Sequence, residues 1–182
     1  MKETMVSKKI IKAEEMDPKF KYIMKKHGAE RLALCYQCGT CTSDCPVTKY
    51  SSFYHPRRLA RMIQLGLKDR LLSNDHIWLC IGCYTCVDHC PQDVKPATVI
   101  RALKELIVTE QKKMPLVYKE LASILLQTGY VYMIPESRVK RREQRGLPPL
   151  PRPNLNHLEK IFKMTGFEKT LKELETFEKV QT

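Results

Sequence analysis

Residues 35–46 read CYQCGTCTSDCP and residues 80–91 read CIGCYTCVDHCP. Between them they hold all eight cysteines of the 182-residue chain. Each is C-x2-C-x2-C-x3-C-P, the spacing of bacterial-type [4Fe–4S] ligand runs. Three thiolates at intervals of three let a short loop wrap one corner of a cubane and reach three irons. The fourth iron takes its thiolate from elsewhere. In two-cluster ferredoxins the fourth cysteine of each run serves the other cluster. That rule assigns Cys35, Cys38, Cys41 and Cys90 to one cluster, and Cys80, Cys83, Cys86 and Cys45 to a second. The exchange ties the two motifs together and keeps two [4Fe–4S] clusters close enough to pass electrons. Pro46 and Pro91 lead the chain away, since proline lacks an N–H and fixes φ. Gly39 and Gly82 let backbone amides approach sulfur, and such contacts help to set a cluster's potential.

Other chemistries fit these residues less well. Zinc sites show two CxxC pairs across a finger loop; here a third cysteine follows each pair, and then Cys-Pro. Haem attachment needs C-x-x-C-H, a pattern absent from the sequence. A disulfide framework needs an oxidising compartment. The opening stretch MKETMVSKKIIKAEE has neither an apolar region nor a small-residue cleavage site, so the expectation is a reducing cytoplasm. No apolar run approaches the roughly 20 residues of a membrane helix. The formal charge of +12 suggests nucleic acid or an acidic surface. Two oxidised clusters with their thiolates carry about −2 each, lowering the balance to about +8, and reduction takes it to about +6. Part of the basic excess therefore offsets the clusters. All eight thiols are needed to saturate two cubanes, leaving none as a nucleophile. No G-x-G-x-x-G marks a nucleotide site. The five histidines, His27, His55, His76, His89 and His157, are scattered and read as surface or packing residues. His89, beside Cys90, is placed to influence that cluster by its charge.

Helices must position the motifs. The two phrases agree at six of twelve positions: the four cysteines, the proline, and the threonine before the third cysteine (Thr40, Thr85). Each is followed by a proline-led stretch, HPRRLARMIQLG and KPATVIRALKELI, where proline suits the first helical turn. Leu59, Met62 and Ile63 form one stripe, and Val99, Leu103, Leu106 and Ile107 another; Leu121, Ile124 and Leu125 continue after Pro115. Asp17-Pro18 reads as a helix start and Gly28 as its stop. Strand signals are nearly absent, KKIIKAE excepted. The 34 residues between Cys45 and Cys80 read as helix, turn, helix. The expected fold is mainly α: an N-terminal extension over 1–28, an α-helical ferredoxin domain over 29–134, and an extended C-terminal arm over 135–182. The arm begins with PESRVKRREQRGLPPLPRPN, whose five prolines and six basic residues read as a linker. A terminal helix follows, with Leu171, Leu174 and Phe177 on one face. Such a helix must bury its stripe on the body or on a partner.

The two CP-terminated motifs, the spacer HPRRLARMIQLGLKDRLLSNDHIWLCIGCYTC and the helical C-terminal half resemble the C subunit of heterodisulfide reductase from methanogenic archaea. The spacer is the specific part; the cysteine run alone is shared by many ferredoxin domains. The likeness covers roughly residues 25–130. It implies a cytoplasmic complex with a flavin- and iron–sulfur-containing A subunit and a catalytic B subunit that reduces the coenzyme M–coenzyme B heterodisulfide. The C subunit relays electrons from A to B, and hydrogenase or formate dehydrogenase modules feed A. The chain itself is then a carrier with no catalytic residue and no membrane span. Succinate dehydrogenase and fumarate reductase iron–sulfur subunits share the helical architecture but carry a plant-type run, C-x4-C-x2-C, and no cysteine precedes Cys35. The alternative is a heterodisulfide reductase-like complex of sulfur metabolism; a more distant one, raised by the basic charge and linker although the cysteine pattern disfavours zinc, is a zinc-dependent nucleic-acid-binding protein.

Overall fold

The computed structural model describes residues 10–181. Among them there is no strand, and ten α-helices and three 3₁₀ turns carry the chain. KKIIKAE forms no strand where it is described; residues 8–9 lie outside the described residues, and Ala13–Glu15 is a 3₁₀ turn. Two compact units divide the chain, residues 1–107 and 108–182.

The first unit is built around the helices that follow the motifs. Helix α1 (Phe20–Lys26) starts two residues beyond Asp17-Pro18, with the Asp17 carboxylate accepting the Lys19 N–H at 2.8 Å. It buries Phe20 and Met24 completely. Helix α2 (Thr40–Ser43) lies within the first cysteine phrase. Helix α3 (Pro56–Gln64) opens on its proline and buries Leu59, Ala60 and Ile63. It closes at Gly66, where the Leu67 N–H returns to the Met62 carbonyl at 3.0 Å, a Schellman closure. Helix α4 (Lys68–Leu72) buries Leu71 and Leu72. Helix α5 (Thr85–Asp88) lies in the second phrase. Helix α6 (Pro96–Gln111) buries the expected stripe of Val99, Leu103, Leu106 and Ile107, and Ile100 with it. Each such side chain removed from water contributes about 1.5–3 kcal/mol. α1 packs on α3, α3 on α4 and α2, and α2 on α5.

Gly66 has a specific role. Its φ is +73°, and its carbonyl accepts the Asp17 N–H at 2.9 Å. A Cβ there would collide with the Asp17 backbone, whose nitrogen would lie 2.9 Å away. Gly66→Ala is therefore expected to cost about 2–4 kcal/mol, read as a lower thermal midpoint of the intact chain by circular dichroism.

The second unit holds α7 (Leu116–Thr128), α8 (Glu136–Gln144), α9 (Leu155–Thr165) and α10 (Phe167–Gln181). α7 packs on α9 and α10, and α9 on α10. Leu121, Ile124 and Leu125 are only partly buried, while Ala122 and Lys119 are the buried positions of α7. Lys112 pairs with Glu173 at 2.5 Å. The terminal helix buries Leu171 and Leu174 as expected; the side chain of Phe177 lies outside the described residues. The stretch read as a linker differs in part. Pro135 caps α8, and only 147–154 lacks regular structure. All five prolines fall outside Glu136–Gln144, whose Glu, Arg, Lys and Gln are good helix formers.

Candidate iron–sulfur centre

Both phrases fold alike. Each begins at the end of a 3₁₀ turn, Glu30–Leu34 or Asp75–Leu79, with Cys35 at φ −70°, ψ 106° and Cys80 at φ −63°, ψ 116°. The loop then passes twice through the left-handed region, at the third and fifth positions of the phrase. In the first copy these are Gln37 (φ 67°) and Gly39 (φ 93°); in the second, Gly82 (φ 66°) and Tyr84 (φ 62°). Glycine thus fills a different one of the two positions in each copy. Gln37 and Tyr84 hold a conformation costing about 1–2 kcal/mol for a residue with a side chain. The chain next enters α2 or α5, which carries the third cysteine, Cys41 or Cys86. Cys45 and Cys90 follow, each before its proline.

The sulfurs gather across the motifs. Cys45 lines one recess together with Cys80, Cys83 and Cys86, closed by Val47, Tyr54, Pro56 and Ala97. Burial, and then the charges of Cys35, Cys38 and Cys90, push the Cys41 thiol up to about 11. Burial, and then the charges of Cys80, Cys41 and Cys45, push Cys86 up to about 12. Cys41 and Cys86 thus stand where the two groups approach each other. Cys38 and Cys83, both exposed, are held below the usual thiol range, first by hydrogen bonds to Thr40 and Thr85, at 3.5 Å in each case.

This donor set fits the cluster. Four thiols share one recess, Cys41 feels Cys35, Cys38 and Cys90, and the ionisation of Cys41 and of Cys86 is opposed by burial and by neighbouring thiols. A positive cluster core is what reverses that opposition, since coordination deprotonates a thiol outright. Among the described residues no three His, Cys, Asp or Glu side chains are arranged to hold a single metal ion.

The surroundings add groups that the sequence reading did not single out. The amide of Gln37 donates to the Cys35 sulfur at 3.4 Å, and the Val94 N–H to Cys90 at 3.3 Å. Tyr54, 2% exposed, lines the recess with Cys80, and burial first, then the neighbouring Cys80 thiol, keeps its hydroxyl far above the usual phenol range. Asp44 and His89, each just before the fourth cysteine of its phrase, pair at 2.6 Å and bridge the motifs. Of the other histidines, His76 stacks on Phe53 and His55 bonds the Ser52 carbonyl. The recurrence of Thr40 and Thr85 was the one visible signal for these sulfur contacts. Tyr54 has none, because only the fold brings it to Cys80.

A family model for a 4Fe-4S dicluster domain matches residues 31–94. The C subunit of the H(2):CoB-CoM heterodisulfide,ferredoxin reductase of Methanothermobacter thermautotrophicus is 31% identical over 168 residues, 89% of this chain and 90% of that protein. The second iron-sulfur C subunit of the CoB–CoM heterodisulfide reductase of Methanocaldococcus jannaschii is 34% identical over 147 residues, 76% of this chain and 77% of that one. A protein of Archaeoglobus profundus named as similar to the heterodisulfide reductase C subunit is 33% identical over 157 residues, 83% and 82% of the two chains. A dicluster domain and likeness along most of the length converge: this chain belongs to the family of heterodisulfide reductase C subunits.

Proposed function

We propose that this chain is the electron-relay subunit of a heterodisulfide reductase complex. It carries two [4Fe–4S] clusters, one on Cys35, Cys38, Cys41 and Cys90, the other on Cys80, Cys83, Cys86 and Cys45. Electrons pass through them from a flavin-containing A subunit to a catalytic B subunit that reduces the coenzyme M–coenzyme B heterodisulfide. Hydrogenase or formate dehydrogenase modules supply the A subunit, and the assembly works in a reducing cytoplasm. Relatives whose names specify hydrogen, formate or ferredoxin support this reading.

The observation that carries the proposal is the placement of Cys45 among the sulfurs of the second phrase. A relay needs two centres within electron-transfer reach, and an exchanged ligand guarantees that spacing. The chain's own residues hold the sulfurs, shield them and donate hydrogen bonds to them. Since all eight cysteines are engaged, none remains to attack a disulfide. No helix among the described residues is long and apolar enough to cross a membrane.

Anaerobically loaded and purified alone, the chain is expected to bind about eight irons and eight sulfides. It takes electrons from dithionite and leaves the heterodisulfide unreduced. Turnover by the isolated chain would defeat the relay reading. A colourless, zinc-loaded chain would defeat the cluster assignment itself.

A further inference from the structure

The two repeats match beyond their cysteines. Gln64 lies eight positions after the proline that opens α3, and Lys104 eight positions after the proline that opens α6. Both do the same task. Gln64 Nε2 donates to the Cys35 carbonyl at 2.9 Å, and Lys104 Nζ donates to the Cys80 carbonyl at 2.8 Å. Each thus fastens the first cysteine of its own phrase from the helix that follows it. One side chain is a neutral amide and the other an ammonium. Lys104 is half-buried and lies 5.4 Å from the centre of the Trp78 ring.

A cation at the first site comes from a different place. The Arg57 guanidinium lies 3.6 Å from where a Cβ on Gly39 would stand, but Arg57 is exposed and screened by water. Its counterpart in the second repeat is Ala97, which lines the recess. Arg61, which donates to Gln64 at 3.4 Å, is exposed as well, so the half-buried positive charge at a first cysteine is that of Lys104, at the second site.

We propose that Lys104 is a positioning residue that raises the reduction potential of the cluster at Cys80, Cys83, Cys86 and Cys45. The inference rests on the cluster assignment above. Reduction adds one electron from an external donor, breaks no bond and moves no proton. It changes the cluster with its thiolates from about −2 to about −3. A fixed ammonium beside Cys80 favours the more negative state, so it biases the pair toward holding the electron at the second cluster.

The test is a redox titration of the full-length, cluster-loaded chain, followed by electron paramagnetic resonance. Iron content is measured first; fewer than two clusters in the parent chain counts against the assignment and not against Lys104. Lys104→Gln keeps a donor to the Cys80 carbonyl, as Gln64 does in the other repeat, but removes the charge. It is expected to lower one cluster's reduction equilibrium about tenfold, or about 59 mV for a one-electron couple, leaving the other unchanged. Lys104→Arg keeps the parent value. If Lys104→Gln matches the parent while Lys104→Met does not, the residue is only a structural donor and the inference fails. Should Lys104→Gln lose its cluster, Gln64→Lys carries the test. It is expected to raise the potential of the cluster at Cys35, and no rise would overturn the proposal.

Discussion

Cys45→Ala is expected to destroy or degrade the cluster held by Cys80, Cys83 and Cys86, although Cys45 belongs to the other phrase. Cys90→Ala is expected to do the same to the cluster held by Cys35, Cys38 and Cys41. Both expectations follow from the positions of the sulfurs. Cys45 is buried and lines the recess of the second phrase, and the charge of Cys90 is felt by Cys41 in the first. Deleting a fourth thiolate leaves one iron without its protein ligand, at a buried position for Cys45 and a half-buried one for Cys90. Each variant should therefore fall from about eight irons toward about four. The two variants should retain different resonance signals, because the contacts differ between sites: Lys104 at the Cys80 carbonyl, and Gln37 at the Cys35 sulfur. The comparison needs Cys38→Ala and Cys83→Ala as in-phrase controls. Cys45→Ala should spare the signal lost in Cys83→Ala only if the crossed assignment is wrong.

What sequence reasoning reaches depends on the range of the interactions. The cysteine spacing, the prolines opening α3 and α6, and their apolar stripes are local patterns, and they lead to buried helices beside the motifs. The backbone of the phrases was only half legible. Gly39 and Gly82 mark two left-handed positions, but Gln37 and Tyr84 occupy the other two without any compositional sign. Superposing the phrases would have exposed them, since each glycine stands opposite one of these residues. The contacts of Gln64 with Cys35 and of Lys104 with Cys80 span more than 20 residues and exist only once α3 and α6 have packed. In the second unit, the average proline content of 135–153 concealed α8. α9 was missed although Asn154 marks its start; the Asn154 side chain accepts the His157 N–H at 3.2 Å.

Reversing three charges on α8 is expected to weaken assembly with the catalytic partner on the order of a hundredfold while sparing both clusters. Arg138, Arg141 and Arg142 of α8, with Arg145 at its C-cap, follow helical spacing along one face. They border a cavity of about 350 Å³ whose remaining walls are Ile134, Val139, Leu147 and Leu150. Arg142 is tied back to the Pro148 carbonyl at 2.6 Å, which fixes the turn after the helix. Among the described residues no carboxylate forms an ion pair with Arg138, Arg141 or Arg145. An acidic segment with an apolar anchor on a partner protein complements such a surface in charge and in its apolar floor. Deleting everything from Pro135 is a poorer test, because α7 would lose both α9 and α10, against which it packs. The triple variant Arg138→Glu, Arg141→Glu, Arg145→Glu keeps those helices. Its iron content should equal that of the parent, and its affinity for the catalytic partner should fall most steeply at low salt, where screening is weakest. Undiminished binding to that partner, together with lost affinity for RNA or DNA, would assign the arginine face to nucleic acid instead.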